Sequence, residues 1–167
     1  MGFLSQTFLL LKKDLLLEVR RRESLLTMFF FGILLLFVFH FSFVLTPEQL
    51  VEMAPALLWL AFLFTGTLGL AQLFEGERGN HCLEALLLSP MDRGAFFLAK
   101  TAFNFILMVL VEIVVIPLFW ILFNLRSWDV IPNLFLVTLL RTVGFCVLGT
   151  LLSAVTVKAR ARELLLP

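Results

Sequence analysis

Charged residues are scarce in this chain. Asp, Glu, Lys and Arg make up 15% of its 167 residues, and 61% of the residues are hydrophobic. An average soluble domain has about 25% charged and about 45–50% apolar residues. This imbalance argues against a water-soluble globular enzyme. It also excludes a disordered chain, which requires low hydrophobicity and high charge.

Residue types that carry out catalysis or hold metals are also few. The chain has two Cys, two His and no Tyr. Two cysteines cannot build a disulfide scaffold or a cysteine-rich metal site. The sequence lacks a Gly-rich phosphate-binding loop, a His-Glu-x-x-His motif and a Ser/His/Asp set at plausible spacing. We therefore expect no catalytic residue, no metal site and no cofactor bound by this chain.

Long apolar segments are what the sequence has instead. A membrane-spanning helix needs about 20 apolar residues to cross roughly 30 Å of hydrocarbon. The chain contains four such segments, at residues 25–45, 53–74, 101–123 and 130–157. They are unbroken rather than alternating, which is typical of spanning helices and not of barrel strands. The sequence thus predicts an all-α membrane bundle of four spans, forming one domain over residues 1–167.

Basic residues cluster on one side of these spans. Of thirteen Lys and Arg residues, eleven lie before the first span, between the second and third, or after the fourth. Arg126 falls on the other side, and Arg141 falls inside a span. By the positive-inside rule, the N-terminus and residue 167 are both predicted to be cytoplasmic. Because topology accounts for these residues, we expect no nucleic acid partner.

The segment 3–22 before the first span has apolar residues at helical spacing. They are Leu4, Phe8, Leu11, Leu15 and Val19. The opposite face is mixed, which suits a helix lying in the cytoplasmic interface in contact with membrane lipid. A second, compatible interpretation is that the segment simply anchors the topology through its basic end. That end comprises Arg20, Arg21 and Arg22.

The loop 75–95 between the second and third spans predicts a short amphipathic helix. Glu84 would lie in its first turn, where the helix dipole favours an acid, and Pro90 would end it. Its apolar face would comprise Leu83, Leu86 and Leu87. Such a helix would either dock in a groove of a separate ATPase or rest on lipid headgroups, and the pattern alone leaves both open.

The order of short motifs along the chain resembles that of one family. The loop carries ERG at 77–79, LE at 83–84, Pro90 and LAK at 98–100, a combination similar to the coupling loop of type 2 ABC exporter permeases. Further matches run almost end to end. They are APALLW at 54–59, LFE at 73–75, Pro117, GTLLSA at 149–154 and ARELLLP at 161–167. Together they resemble the cytochrome c maturation protein B (CcmB) family, the permease of a haem exporter.

The resemblance implies a permease of the bacterial cytoplasmic (inner) membrane that acts with a CcmA-like ATPase. CcmC-like and CcmD-like membrane proteins would be further partners, and the haem chaperone CcmE an indirect one. ATP would act through the partner subunit, either to export haem as substrate or to release the haem-loaded chaperone, and the permease could form a dimer. The residues implied to couple to the ATPase are Glu75, Glu77, Arg78, Gly79, Leu83, Glu84, Leu86, Leu87 and Pro90.

Two features depart from the family pattern. The family has six spans, whereas this chain stops at residue 167, where a fifth span would begin, and Arg141 stands where a small or neutral residue is expected. Two other functions stay open. One is a type 2 ABC exporter permease for a lipid, polysaccharide or drug, and the other is a passive haem-handling membrane scaffold.

Two charges lie inside the predicted spans. Glu112 and Arg141 are each eleven residues from the outer end of their span, which places both about 16 Å below the outer face. An unpaired charge at a helix centre costs about 2.5–3.5 kcal/mol on insertion scales, so the two residues are predicted to pair. The alternatives are a contact to a haem propionate or the transport path, and separate partners. Pro117 removes a backbone hydrogen bond and predicts a kink beside Glu112.

His40 lies near the outer end of the first span. Haem iron often takes a histidine ligand, which makes His40 a haem-binding candidate, and a polar contact near the interface is the alternative. Two pairs of small residues at a spacing of four predict close helix packing rather than a substrate site. They are Thr65 with Gly69 and Gly149 with Ser153.

Overall fold

A computed structural model of the chain describes residues 2–43, 46–73, 92–124 and 131–164. These residues form five helices: α1 (Phe3–Arg21), α2 (Glu23–Ser42), α3 (Pro47–Gln72), α4 (Arg93–Leu122) and α5 (Ile131–Leu164). No strand occurs within the described ranges. The prediction of an all-α fold is confirmed.

Four of the helices contain a stretch that is long and apolar enough to cross a membrane. These stretches are Glu23–Ser42, Glu48–Gln72, Arg93–Leu122 and Phe135–Thr156. The four predicted spans are therefore present as helices. The predicted coupling helix and its residues lie outside the described part of the chain. Those residues are Glu75, Glu77, Arg78, Gly79, Leu83, Glu84, Leu86, Leu87 and Pro90.

The turn between α1 and α2 separates the N-terminal helix from the first span. Arg22 adopts a left-handed conformation, with φ of 58°, and its backbone N–H donates to the Glu18 carbonyl at 2.6 Å. The Glu18 carboxylate then accepts a hydrogen bond from the backbone N–H of Leu25 at 2.8 Å. Glu18 therefore satisfies an otherwise unpaired N–H in the first turn of α2 and holds the two helices at a defined junction.

Two helices begin earlier than the apolar runs suggest. α3 begins at Pro47, and Thr46 and Gln49 form a reciprocal capping box in front of it. α4 begins at Arg93, where the Asp92 carboxylate accepts a hydrogen bond from the Gly94 N–H at 2.8 Å. The predicted spans began at residues 53 and 101 because hydrophobicity locates the apolar stretch of a helix, whereas capping side chains locate its first turn.

α4 is the central helix of the bundle and packs against α1, α2, α3 and α5. Its buried residues recur every three or four positions from Ala95 to Trp120. The outer helices instead present large apolar side chains to their surroundings, for example Phe41 on α2, which is 79% exposed, and Leu140 on α5, which is 74% exposed. Such surfaces suit contact with lipid, since water-soluble proteins rarely expose large apolar patches.

The two predicted pairs of small residues lie where helices approach closely. A Cβ atom added at Gly69 would lie 2.9 Å from the Met28 sulfur and 3.2 Å from the Asn104 carbonyl oxygen. A Cβ atom at Gly149 would collide with the Leu70 side chain. The Ser153 hydroxyl donates to the Leu70 carbonyl at 3.1 Å. Small side chains at these positions thus let α3 pack against α2, α4 and α5.

Candidate functional site

A polar seam runs between α4 and α5 inside the bundle. We define it by Asn104 and Glu112 on α4 and Thr142 and Cys146 on α5. All four residues are buried. The Thr142 hydroxyl donates to one carboxylate oxygen of Glu112, and the Asn104 amide donates to the Cys146 sulfur at 3.5 Å. The contact residue on α4 moves from Glu112 back to Asn104 as the contact residue on α5 moves from Thr142 forward to Cys146. The two helices are therefore antiparallel along this seam.

The polar seam is incompletely satisfied within the described residues. The second carboxylate oxygen of Glu112 and the amide oxygen of Asn104 have no hydrogen-bond partner there. Two further buried hydroxyl oxygens, those of Thr65 on α3 and Thr150 on α5, are also without a hydrogen-bond partner among the described residues. A buried polar group without a partner is costly in hydrocarbon, so the seam offers acceptor groups that a water molecule or polar ligand would satisfy.

Glu112 and Arg141 do not form the predicted ion pair. Glu112 is fully buried and faces Thr142, whereas Arg141 is exposed and its guanidinium lies 5.4 Å from the centre of the Trp59 ring on α3. Successive residues on a helix point about 100° apart. The residue of α5 that faces Glu112 is Thr142, so Arg141 turns towards α3. This corrects the pairing: the two residues share a predicted depth but not a helix face.

Arg141 lines a groove between α3 and α5. The groove has a volume of about 630 Å³, and apolar or small side chains make up most of its wall. Among its lining residues are Trp59, Leu70, Phe145 and Gly149. A guanidinium over an aromatic face is favourable by about 0.5–2 kcal/mol, depending on solvent exposure. The Trp59 ring in this groove therefore gives Arg141 a favourable contact without a carboxylate partner.

His40 lies in aromatic surroundings. Its ring meets the Phe41 ring at 5.4 Å and the Phe123 ring at 5.2 Å, both edge to face. Among the described residues, no group of three or more His, Cys, Asp or Glu side chains is arranged to hold a metal ion. The contacts of His40 are those of a packed side chain between α2 and the end of α4. Its role as a haem ligand stays a prediction.

Pro117 lies inside α4, which continues past it to Leu122. Its ring is on the exposed side of the helix, while the neighbouring Ile116 is buried. The backbone hydrogen bond that a proline removes is therefore lost on the exposed side of α4. The predicted kink beside Glu112 stays a prediction.

A second cluster of buried charges lies where α3 ends and α4 begins. The Lys100 ammonium on α4 is 2.9 Å from the Asp14 carboxylate on α1, and it donates to the Leu73 carbonyl after α3 at 3.4 Å. The side chains of Lys100 and Asp14 are only 5% and 7% exposed. We call these groups the Asp14–Lys100 cluster. Lys13 also approaches the Asp14 carboxylate, at 3.1 Å.

Sequence reasoning missed the Asp14–Lys100 cluster. Lys100 is one of the eleven basic residues that predict the topology, and Asp14 is one of the polar residues that lie outside the predicted apolar stripe of segment 3–22. One signal was present: Asp14 lies three residues after Leu11 and one before Leu15, and both leucines pack against the core. An acid on the apolar face of an amphipathic helix predicts a basic partner on the helix that covers it.

Comparison with known proteins identifies the family. The family model described as CcmB protein matches residues 5–167. The chain belongs to the CcmB family. The resemblance noted from the short motifs is thereby confirmed. This member of the CcmB family is a multi-pass membrane protein, as its four apolar helices and its relatives indicate together.

Several similar relatives bear the name Heme exporter protein B. The one from Pseudomonas aeruginosa is 29% identical over 158 residues, covering 95% of this chain and 70% of the relative. The one from Haemophilus influenzae is 27% identical over 157 residues, covering 94% of this chain and 71% of the relative. The one from Escherichia coli K12 is 29% identical over 87 residues, covering 52% of this chain and 40% of the relative. No solved structure matches the chain significantly.

Proposed function

We propose that this chain is the permease subunit of an ABC-type transporter in cytochrome c maturation. In this role it couples a separate, CcmA-like ATPase to haem export or to release of a haem-loaded chaperone. Family membership over residues 5–167 is the observation that carries the proposal, and the name Heme exporter protein B of the similar relatives supports haem as the molecule handled. ATP is hydrolysed by the partner, and CcmC-like and CcmD-like proteins complete the assembly.

The arrangement of the helices supports a coupling role for residues 74–91. These residues connect the end of α3 to the start of α4. α4 is the helix that contacts all the others, so a displacement at its first turn reaches α1, α2, α3 and α5 directly. The leucines at 83, 86 and 87 have the spacing of a helix that inserts into a groove. A partner ATPase that binds this segment therefore has access to the centre of the bundle.

The proposal is tested in a bacterial strain that lacks its own CcmB protein. The complete gene should restore c-type cytochromes, measured by haem staining of membranes, and a tagged copy should co-purify with the ATPase subunit. Leu86→Asp should abolish co-purification and cytochrome formation while the protein still inserts into the membrane. The matched control is Leu88→Asp, because helical spacing places Leu88 off the face shared by Leu83, Leu86 and Leu87.

Three results would contradict parts of the proposal. Unchanged co-purification in Leu86→Asp would remove the coupling role of the loop. Co-purification with an ATPase but no restoration of c-type cytochromes would favour an exporter of a lipid, polysaccharide or drug. Haem bound to the purified chain, lost in His40→Ala, with no ATPase partner would favour a passive scaffold.

A further inference from the structure

The Asp14–Lys100 cluster joins three separate parts of the chain at one ammonium group. Asp14 belongs to α1, the Leu73 carbonyl belongs to the residue that follows α3, and Lys100 itself lies two turns into α4. The Lys100 ammonium also lies 5.7 Å from the centre of the Phe96 ring. Leu73 and α4 flank residues 74–91 on either side. The cluster therefore joins α1 to the residue that precedes this segment and to the helix that follows it.

A buried ion pair at this position needs a reason other than stability. Removing two charges from water costs several kcal/mol per ion by general estimates, and an apolar pair of similar volume is often as stabilising. The additional feature here is the bond to Leu73. The last carbonyls of a helix lack partners within the helix, and the ammonium supplies one of them while Asp14 compensates its charge. An apolar pair would hold α1 against α4 but would leave this carbonyl unbound.

Two further contacts extend the attachment of α1 to the start of α4. The Asp92 backbone N–H donates to the Gln6 side-chain oxygen at 3.3 Å. A Cβ atom at Gly94 would lie 3.3 Å from the Phe3 ring. From Phe3 to Asp14, α1 thus follows the first turns of α4, next to the point where residues 74–91 join that helix. α1 is therefore packed against the start of α4 and does not lie apart from the bundle.

We propose that Asp14 and Lys100 are positioning residues for the segment 74–91, with Lys100 linking the residue before this segment and the helix after it to α1. This inference rests on the proposed coupling function. When the ATPase moves this segment, the shared ammonium makes α1, α3 and α4 move together. Lys100 supplies the hydrogen bond to the Leu73 carbonyl, and the Asp14 carboxylate orients the Lys100 ammonium through their contact at 2.9 Å.

The first test measures the reactivity of a residue in the segment 74–91, without the ATPase. Cys82 lies within residues 74–91, and the other cysteine, Cys146, is buried. The reaction rate of Cys82 with a membrane-impermeant maleimide is measured in inside-out vesicles that contain the full-length protein. Lys100→Gln and Asp14→Asn should change this rate by roughly tenfold, as expected when a hydrogen bond to a charged group is lost. Arg93→Gln and Glu23→Gln, which alter exposed charges on α4 and α2, should leave it unchanged.

A double variant separates positioning from packing. Asp14→Leu with Lys100→Met removes both buried charges and keeps apolar contact between α1 and α4, so its membrane abundance should equal that of the wild type. Because it cannot donate to the Leu73 carbonyl, its Cys82 rate should remain altered and its c-type cytochrome yield per unit of membrane protein should remain low. Lys100→Arg keeps the donor and the charge and should restore most of both readouts.

Wild-type Cys82 rates and cytochrome yield in the double variant would overturn the inference, because the cluster would then only pack α1. Unchanged Cys82 rates in both single variants would overturn it as well. Failure of the proposed function looks different: the wild-type chain would not restore cytochromes or retain an ATPase, whereas the Cys82 rates would still respond to Lys100. The labelling experiment therefore judges the positioning role independently of transport.

Discussion

Two groups of buried charges in this protein differ in the partners that they have. In the Asp14–Lys100 cluster, an acid and a base from two helices meet at 2.9 Å. In the polar seam, Glu112 has a neutral partner, Thr142 on α5. Arg141, which precedes Thr142 on α5, is exposed and lies outside the seam, over the Trp59 ring. Equal depth along two helices therefore does not make two charged residues partners. The rotation of each helix about its axis decides which side chains meet.

The largest expected effect lies at the Asp14–Lys100 cluster. Lys100→Met should lower the free energy of unfolding by about 3–5 kcal/mol, because it removes the buried partner of the Asp14 carboxylate and leaves beside it the more exposed Lys13 ammonium. Denaturant unfolding of the purified protein in mixed micelles measures this difference. Lys12→Met, which removes an exposed charge from α1, is the control. A decrease in unfolding free energy no larger than that of Lys12→Met would show that Asp14 finds another partner. The Asp14–Lys100 cluster would then differ less from the polar seam.

A smaller effect is expected in the polar seam. Thr142→Val preserves the shape of the side chain but removes the hydroxyl that donates to Glu112. The unfolding free energy should fall by about 1–3 kcal/mol, the cost of a buried acceptor left without a donor. Thr156→Val, at an exposed position of the same helix, should have little effect in the same micelle assay. Equal effects of the two variants would mean that the Thr142 hydroxyl does not stabilise Glu112.

The smallest effect concerns Arg141 and tests the corrected pairing directly. Arg141→Gln should cost about 0.5–2 kcal/mol through the lost contact with Trp59. Combined with Glu112→Gln, the two effects should add within about 0.5 kcal/mol, as for residues that share no partner. A double-mutant cycle in micelles measures the coupling. A coupling energy well above that value would show that Glu112 and Arg141 do interact. Glu112 would then have a charged partner, as Asp14 does.

Much of the fold could be predicted from local features of the chain. The four apolar runs predicted four spans, and the break near Arg22 separated α1 from α2. The beginnings of α3 and α4 were placed too late because their first turns are polar. Thr46 and Asp92 mark both beginnings in retrospect, since capping residues act within a few positions and are readable in the sequence.

The polar contacts could be predicted only in part. Glu112 was correctly singled out as a buried group, because an acid within an apolar run has to be accommodated. The predicted partner, Arg141, was wrong. Thr142 and Arg141 are adjacent in sequence, and only the packing of α5 on α4 decides which of them faces Glu112. Asp14 and Lys100 are 86 positions apart in the sequence. The residues around each of them do not indicate which residue is its partner.

The amino-acid sequence alone is enough to identify four segments that are long and apolar enough to cross a membrane, all four of which are helical in the described residues, and to identify the family. The physical reason is that transfer of an apolar segment into hydrocarbon is favourable residue by residue and does not depend on its neighbours in space. Tertiary structure alone decided that Lys100 contacts Asp14 and the end of α3, and that Arg141 contacts Trp59 instead of Glu112. Those contacts depend on how the helices are rotated against each other, which only their joint packing sets.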